Sequence, residues 1–112
     1  MKVAYCSDLH LEFKELEIVN DVGADVLILA GDICVGEALY RWPFYECEAG
    51  ECDSIQLARS IQYLKFFEQC AKEFKHVIYV AGNHEFYHGT HAKTLTCLRE
   101  NLRRVGDNVH FL

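Results

Sequence analysis

The sequence lacks most of the features that mark specialised protein classes. No stretch approaches the ~20 consecutive apolar residues of a membrane-spanning helix, so no membrane partner is expected. The opening Met1-Lys2-Val3-Ala4-Tyr5 reaches Asp8 too soon for the apolar region of a signal peptide. Basic clusters are also missing: Arg103-Arg104 is the only adjacent pair, and the formal net charge is -6. Phosphate backbones are bound by clustered Lys and Arg, so nucleic acid is expected at most as a substrate. There is no Cys-x-x-Cys, and Cys47 and Cys52 have no further Cys or His close by in sequence. Without a secretory context the six cysteines are read as reduced, mostly structural thiols in a cytoplasmic protein. Internal repeats and low-complexity segments are absent, and the single proline is Pro43.

What is present is an alternation. With 112 residues, 51% hydrophobic and 25% charged, the chain has material for one soluble domain with a modest core. Lys2 to Cys6, Val26 to Ala30 and His76 to Ala81 are short apolar runs that read as buried strands. Runs as uniformly apolar as the second are typical of parallel strands covered on both faces. Leu57, Ile61, Leu64, Phe67, Ala71 and Phe74 step by three and four, and Asp53 or Ser54 can cap that helix. Thr90 is placed to cap a further helix with Leu95, Leu98, Leu102 and Val105 on its stripe and Gly106 at its end. Phe13, Leu16, Val19 and Val22 predict a weaker helix or helical turn over Leu11 to Val22, closed by Gly23. Asn108 to Leu112 opens a fourth strand. Cys34 to Asp53 reads as a loop or insertion whose aromatics pack down or border a cleft. The order predicts an α/β fold, a parallel β-α-β-α-β sheet with crossover helices.

Three of the apolar runs end in residues that bind metal or move protons: Asp8 and His10, then Gly31-Asp32, then Gly82-Asn83-His84-Glu85. In open α/β sheets ligands bind beyond the carboxyl ends of the strands, where all of these fall. Carboxylate, imidazole and amide oxygen suit Mn, Fe or Zn. A carboxylate such as Asp32 can bridge two ions, and paired ions clamp the oxygens of a phosphoryl group. Gly31 and Gly82 are expected where a Cβ would not fit beside the ions. Each motif alone is weak; the three in this order, each after a strand, are not.

Ser7-Asp8-Leu9-His10, Ala30-Gly31-Asp32-Ile33 and Ala81-Gly82-Asn83-His84-Glu85 together resemble the first three motifs of the calcineurin-like metallophosphoesterases, especially small bacterial and phage members. The resemblance covers most of the chain except about Tyr40 to Asp53. It implies the first half of a four-layer αββα sandwich and a two-metal phosphoesterase site acting on phosphomono- or phosphodiesters. On that likeness Asp8 and His10 bind the first ion, Asp32 bridges both and Asn83 binds the second. His84 stabilises the phosphoryl group or protonates the leaving oxygen. Glu85 is at most a supporting residue, with an ordinary helix-start or surface acid as the alternative. His88 and His91 read as loop residues, and His76 and His110 as structural ones.

The family pattern also has a second half, with one more metal-binding His and a Gly-His-x-His segment, which nothing after Asn108 supplies. Residues 1–112 are therefore expected to form a single domain truncated on its C-terminal side, with partial metal occupancy. The second sheet that would cover one sheet face is absent from this reading, so self-association through the uncovered face is expected. Three accounts fit: a shortened phosphoesterase, a subunit completed by another chain, or a non-catalytic metal-binding or interaction remnant of the fold.

Overall fold

The computed structural model describes residues 1–11, 13–36, 54–87 and 90–112, with side chains of the first helix described from Ala58 onward. Four strands form one sheet: β1 (Val3–Cys6), β2 (Val26–Ala30), β3 (His76–Val80) and β4 (Val109–Phe111). Their order is β1-β2-β3-β4 and every pairing is parallel. Val3 lies beside Val26, Val26 beside His76, and Val77 beside Val109. Asp25 aligns three strand starts. Its N–H donates to the Lys2 carbonyl (2.9 Å), and its own carbonyl accepts from Lys75 and His76 N–H (3.0 and 3.2 Å).

Two helices, α1 (Ser54–Glu73) and α2 (His91–Val105), provide the β2–β3 and β3–β4 crossovers. Thr90 caps α2 as expected, its hydroxyl accepting from Lys93 N–H at 3.3 Å. Gly106 closes it. The stripe of α1 is rotated from the predicted one. Tyr63, Leu64, Phe66, Phe67, Cys70 and Phe74 are buried, whereas Ile61 is 44% exposed. The core joins these to Leu27, Leu29, Val77, Tyr79 and Val109 from one sheet face and to Cys97, Leu98 and Leu102 from α2. Phe67 stacks on Tyr79 with ring centroids 5.2 Å apart.

The other face of the sheet differs from the two-sided cover that apolar strands predict. Among the described residues Val3, Tyr5 and Val80 are exposed there, and His76 and His110 contact each other at 3.2 Å. Strand alternation therefore reads inward Leu27, Leu29, Val77, Tyr79 and outward Val26, Ile28, Ile78, Val80.

The predicted helix over Leu11 to Val22 does not form. Its described residues are turns and irregular chain, and Phe13, Val19 and Val22 are exposed. The physical reason lies on α1, whose polar side chains hold this backbone in a non-helical path. Gln69 donates to the Ile18 carbonyl and accepts from Ile18 N–H (3.1 Å), and Gln62 donates to the Leu11 carbonyl (3.0 Å). Asn20 bonds the Glu73 and Ala24 carbonyls. Beyond Leu11 at its start, only Leu16 and Ile18 among the described residues of the segment pack on the core, so a helix had little apolar surface to bury. Gly23 has left-handed backbone (φ 66°) but closes no helix. Residues 37–53, with the aromatics of the expected insertion and Asp53, lie outside the described residues, as does His88.

Candidate metal centre

Because β1, β2 and β3 run parallel, their C-terminal ends open on one edge, and three loops meet there. Asp8 (φ 57°), His10 (φ 50°) and Asp32 (φ 54°) are the only non-glycine residues with left-handed backbone among those described. Each such residue costs roughly 1–3 kcal/mol, and strain of that kind gathers where geometry serves a function. The first loop is zipped onto the second through backbone. Asp8 N–H donates to the Gly31 carbonyl (3.0 Å), His10 N–H to Asp32 (3.1 Å) and Leu11 N–H to Ile33 (2.8 Å).

The second and third loops touch at Gly31 and Gly82. A Cβ on Gly82 would stand 2.7 Å from Asp32 Oδ1 and 2.8 Å from Asp32 N. One on Gly31, itself at φ 88°, would stand 3.1 Å from the Gly82 backbone. Across this contact Asp32 Oδ1 accepts from His84 N–H at 2.8 Å. That N–H holds the Asp32 carboxyl below its ordinary value, helped by the nearby imidazoles and the Asp8 carboxyl against a smaller opposing effect of burial.

Asp8, His10, Asp32 and His84 are thus brought together. His10 presents its two ring nitrogens in different directions. Nε2 lies 3.8 Å from Asp8 Oδ1, and Nδ1 lies 3.1 Å from His84 Nδ1. The His84 ring also lies 4.5 Å from that of Tyr87, centroid to centroid. Asn83 is exposed on the third loop, just before the short 3-10 turn His84–Phe86, and its side chain makes no capping bond to that turn. His91 stacks on Phe86 at 4.4 Å, at the start of α2 and apart from the cluster.

The main residue that sequence reasoning underrated is Glu85. It is fully buried, not a surface acid. Its Oε1 accepts from Asp32 N–H (2.9 Å) and Gly82 N–H (2.7 Å). Its Oε2 accepts from Ile33 N–H (2.7 Å), Cys34 N–H (3.3 Å) and the Tyr79 hydroxyl (2.6 Å). An unpaired buried carboxylate would cost several kcal/mol or more. Bonds to a charged acceptor contribute about 1.5–3 kcal/mol each, enough together to offset that. The bond back to Gly82, three residues earlier, resembles the reach of a capping box and was readable in sequence. The bonds to residues 32–34 span more than fifty positions and carried no local signal.

The donor chemistry suits a divalent ion: two carboxylates, an imidazole and an amide oxygen at one edge. The 3.8 Å between Asp8 Oδ1 and His10 Nε2 lies within the span of two metal–ligand bonds of about 2.0–2.2 Å. The set is open, however. Among the described residues no three of His, Cys, Asp and Glu form a ready metal-binding group.

No helix of the described residues is long and apolar enough to cross a membrane. No curated protein and no solved structure matches the chain. The family model of the calcineurin-like phosphoesterases matches residues 1–110, nearly the whole chain, and the chain belongs to that family.

Proposed function

We propose that the chain is a metal-dependent phosphoesterase whose ligands are Asp8, His10, Asp32 and Asn83 and whose proton-handling residue is His84. The observation that supports this most is the meeting of Asp8, His10, Asp32 and His84 on one sheet edge, three of them on strained or glycine-flanked loops. A divalent ion, or a pair bridged by Asp32, would supply an activated water and neutralise charge on the phosphoryl oxygens. Mn, Fe and Zn all suit the donors.

The protein's own atoms would then divide the work. Asp8 Oδ1 and His10 Nε2, 3.8 Å apart, would hold the first ion. With Nε2 committed, the His10 proton stays on Nδ1 and is donated to His84 Nδ1. His84 in turn keeps its proton on Nε2, where it can be given to a phosphoryl or leaving-group oxygen. Asp32 is held as a carboxylate by the His84 N–H, ready to ligate at neutral pH. The Asn83 amide, not used for capping, is available to an ion or to the substrate.

Hydrolysis of an aryl phosphodiester in the presence of Mn²⁺ tests this reading. Activity that falls at least a hundredfold in Asp32→Asn supports it; activity unchanged by that substitution contradicts the role given to Asp32. The open donor set favours one further reading, in which another chain or a second copy completes the ligands. On that reading the isolated chain binds metal weakly and gains activity only when the completing partner is added.

A further inference from the structure

We propose that Glu85 is a positioning residue that holds the three ligand-bearing loops in register before any metal binds. The inference rests on the ligand reading above but concerns a residue that is neither ligand nor proton donor there.

The bonds run outward from one carboxylate. Asp32 stands in left-handed backbone, and its N–H is fixed by Glu85 Oε1. The same oxygen fixes Gly82 N–H, so the second and third loops share one acceptor atom. Oε2 fixes the next two amides, Ile33 and Cys34. The first loop has no bond to Glu85 among those described, yet it is fastened to the segment that Glu85 fixes, by way of the Gly31, Asp32 and Ile33 carbonyls. Asp8 and His10 therefore take their places from the 31–33 backbone, and that backbone takes its place from Glu85.

Two further observations make this a fixed post. Glu85 is fully buried, so water does not compete for its oxygens. Tyr79, which donates to Oε2, is anchored in the core by stacking on Phe67, and burial first, then the neighbouring Cys34 and Glu85 side chains, keeps its phenol protonated far above neutral pH. The donors to each oxygen come in sets that an amide cannot satisfy. Glu85→Gln keeps the shape, but its NH₂ must face either Asp32 and Gly82 N–H or the Ile33, Cys34 and Tyr79 donors. The isosteric change thus releases one side of the post while filling the same space. The Asp32 strain then has less to hold it, and ligands oriented by it lose their preorganisation.

Amide hydrogen exchange on the unaltered protein in chelator is the first test. Asp32, Ile33 and Gly82 amides should be protected as strongly as Leu27 and Leu29 in β2, with no further gain when Zn²⁺ is added. Free exchange in chelator overturns the proposal, whatever metal then adds. Mn²⁺ titration of the variants is the second test. Glu85→Gln should weaken binding by about 10–100-fold, the range seen when a residue supporting metal ligands is lost. Phe74→Leu, which loosens the core at a buried side chain outside the Glu85, Tyr79 and Phe67 contacts, should stay within about threefold of the unaltered protein. Equal binding by Glu85→Gln and the unaltered protein, or an equal loss in both variants, overturns it. Absence of Mn²⁺ binding in the unaltered protein would contradict the ligand reading itself, and the exchange measurement, which needs no metal, would still decide whether Glu85 holds the loops.

Discussion

Asp25 and Asp32 show how single carboxylates tie the sheet together and what that implies for pH. Asp25 accepts from Lys2 N–H at 3.3 Å and pairs with Lys75 at 3.2 Å, and these contacts, the Lys2 bond first, hold its carboxyl below the ordinary value of 3.8. Asp32 is lowered mainly by the His84 N–H. A group that releases its proton more easily when folded stabilises the fold above its unfolded pKa. That stability is lost as pH falls through the lower, folded value. Both residues therefore favour the folded state at neutral pH and cease to do so in acid, below about 4. Urea unfolding followed as a function of pH should show a falling stability on that limb, and Asp25→Asn should flatten part of it while leaving the neutral-to-alkaline range unchanged in slope. Cysteines behave in the opposite sense. Burial, the largest cause for each, pushes the Cys70 thiol up to about 12 and Cys97 to about 11, so neither is a reactive thiolate at neutral pH. This agrees with the reading of the cysteines as structural; Cys6, Cys34, Cys70 and Cys97 form no disulfide among the described residues.

Among the elements, α1 carries both the core and the correction to the predicted pattern. Its buried stripe includes Phe66 and leaves Ile61 largely in solvent. Phe66→Ala should cost about 3–5 kcal/mol and Ile61→Ala under about 1 kcal/mol, measured by denaturant unfolding. Equal costs would place the helix in the rotation that simple spacing of Leu57, Ile61 and Leu64 suggests. The polar side of α1 explains the missing helix before β2. Gln62, Gln69 and Glu73 bond backbone groups of Leu11, Ile18 and Asn20, giving this segment hydrogen-bond partners that do not require a helix. Nothing in the spacing of Phe13, Leu16, Val19 and Val22 reveals that, because the partners lie about fifty residues away. Strands were readable for the converse reason: Val26-Leu27-Ile28-Leu29 needs only its own composition to be recognised. The strand-end ligands were readable because glycine, acid and imidazole follow directly on such runs. Glu85 was underrated because its importance lies in amides that only folding brings near it.

At the scale of the whole molecule, one sheet face is covered by α1 and α2 and the other presents Val3, Tyr5 and Val80 to solvent among the described residues. We propose that copies of the chain associate through this face, since contiguous exposed apolar surface favours association. Sedimentation should show mass rising with concentration, and Tyr5→Lys with Val80→Lys should return the chain to a monomer; a monomer at every concentration would contradict this. The ligand edge lies at the ends of the same strands, so association and completion of the metal shell are open to study on one set of variants.

On the proposed reading, three loops fixed to one another before metal arrives bring Asp8, His10 and Asp32 together to hold a divalent ion. Calorimetric titration of the metal-free chain with Mn²⁺, beside Asp32→Asn, tests it most directly. Saturable binding by the unaltered chain, weaker than two tightly retained ions, is expected, with a loss of at least tenfold in affinity in Asp32→Asn. Binding of equal strength by both proteins, or no binding by the unaltered chain, would contradict it.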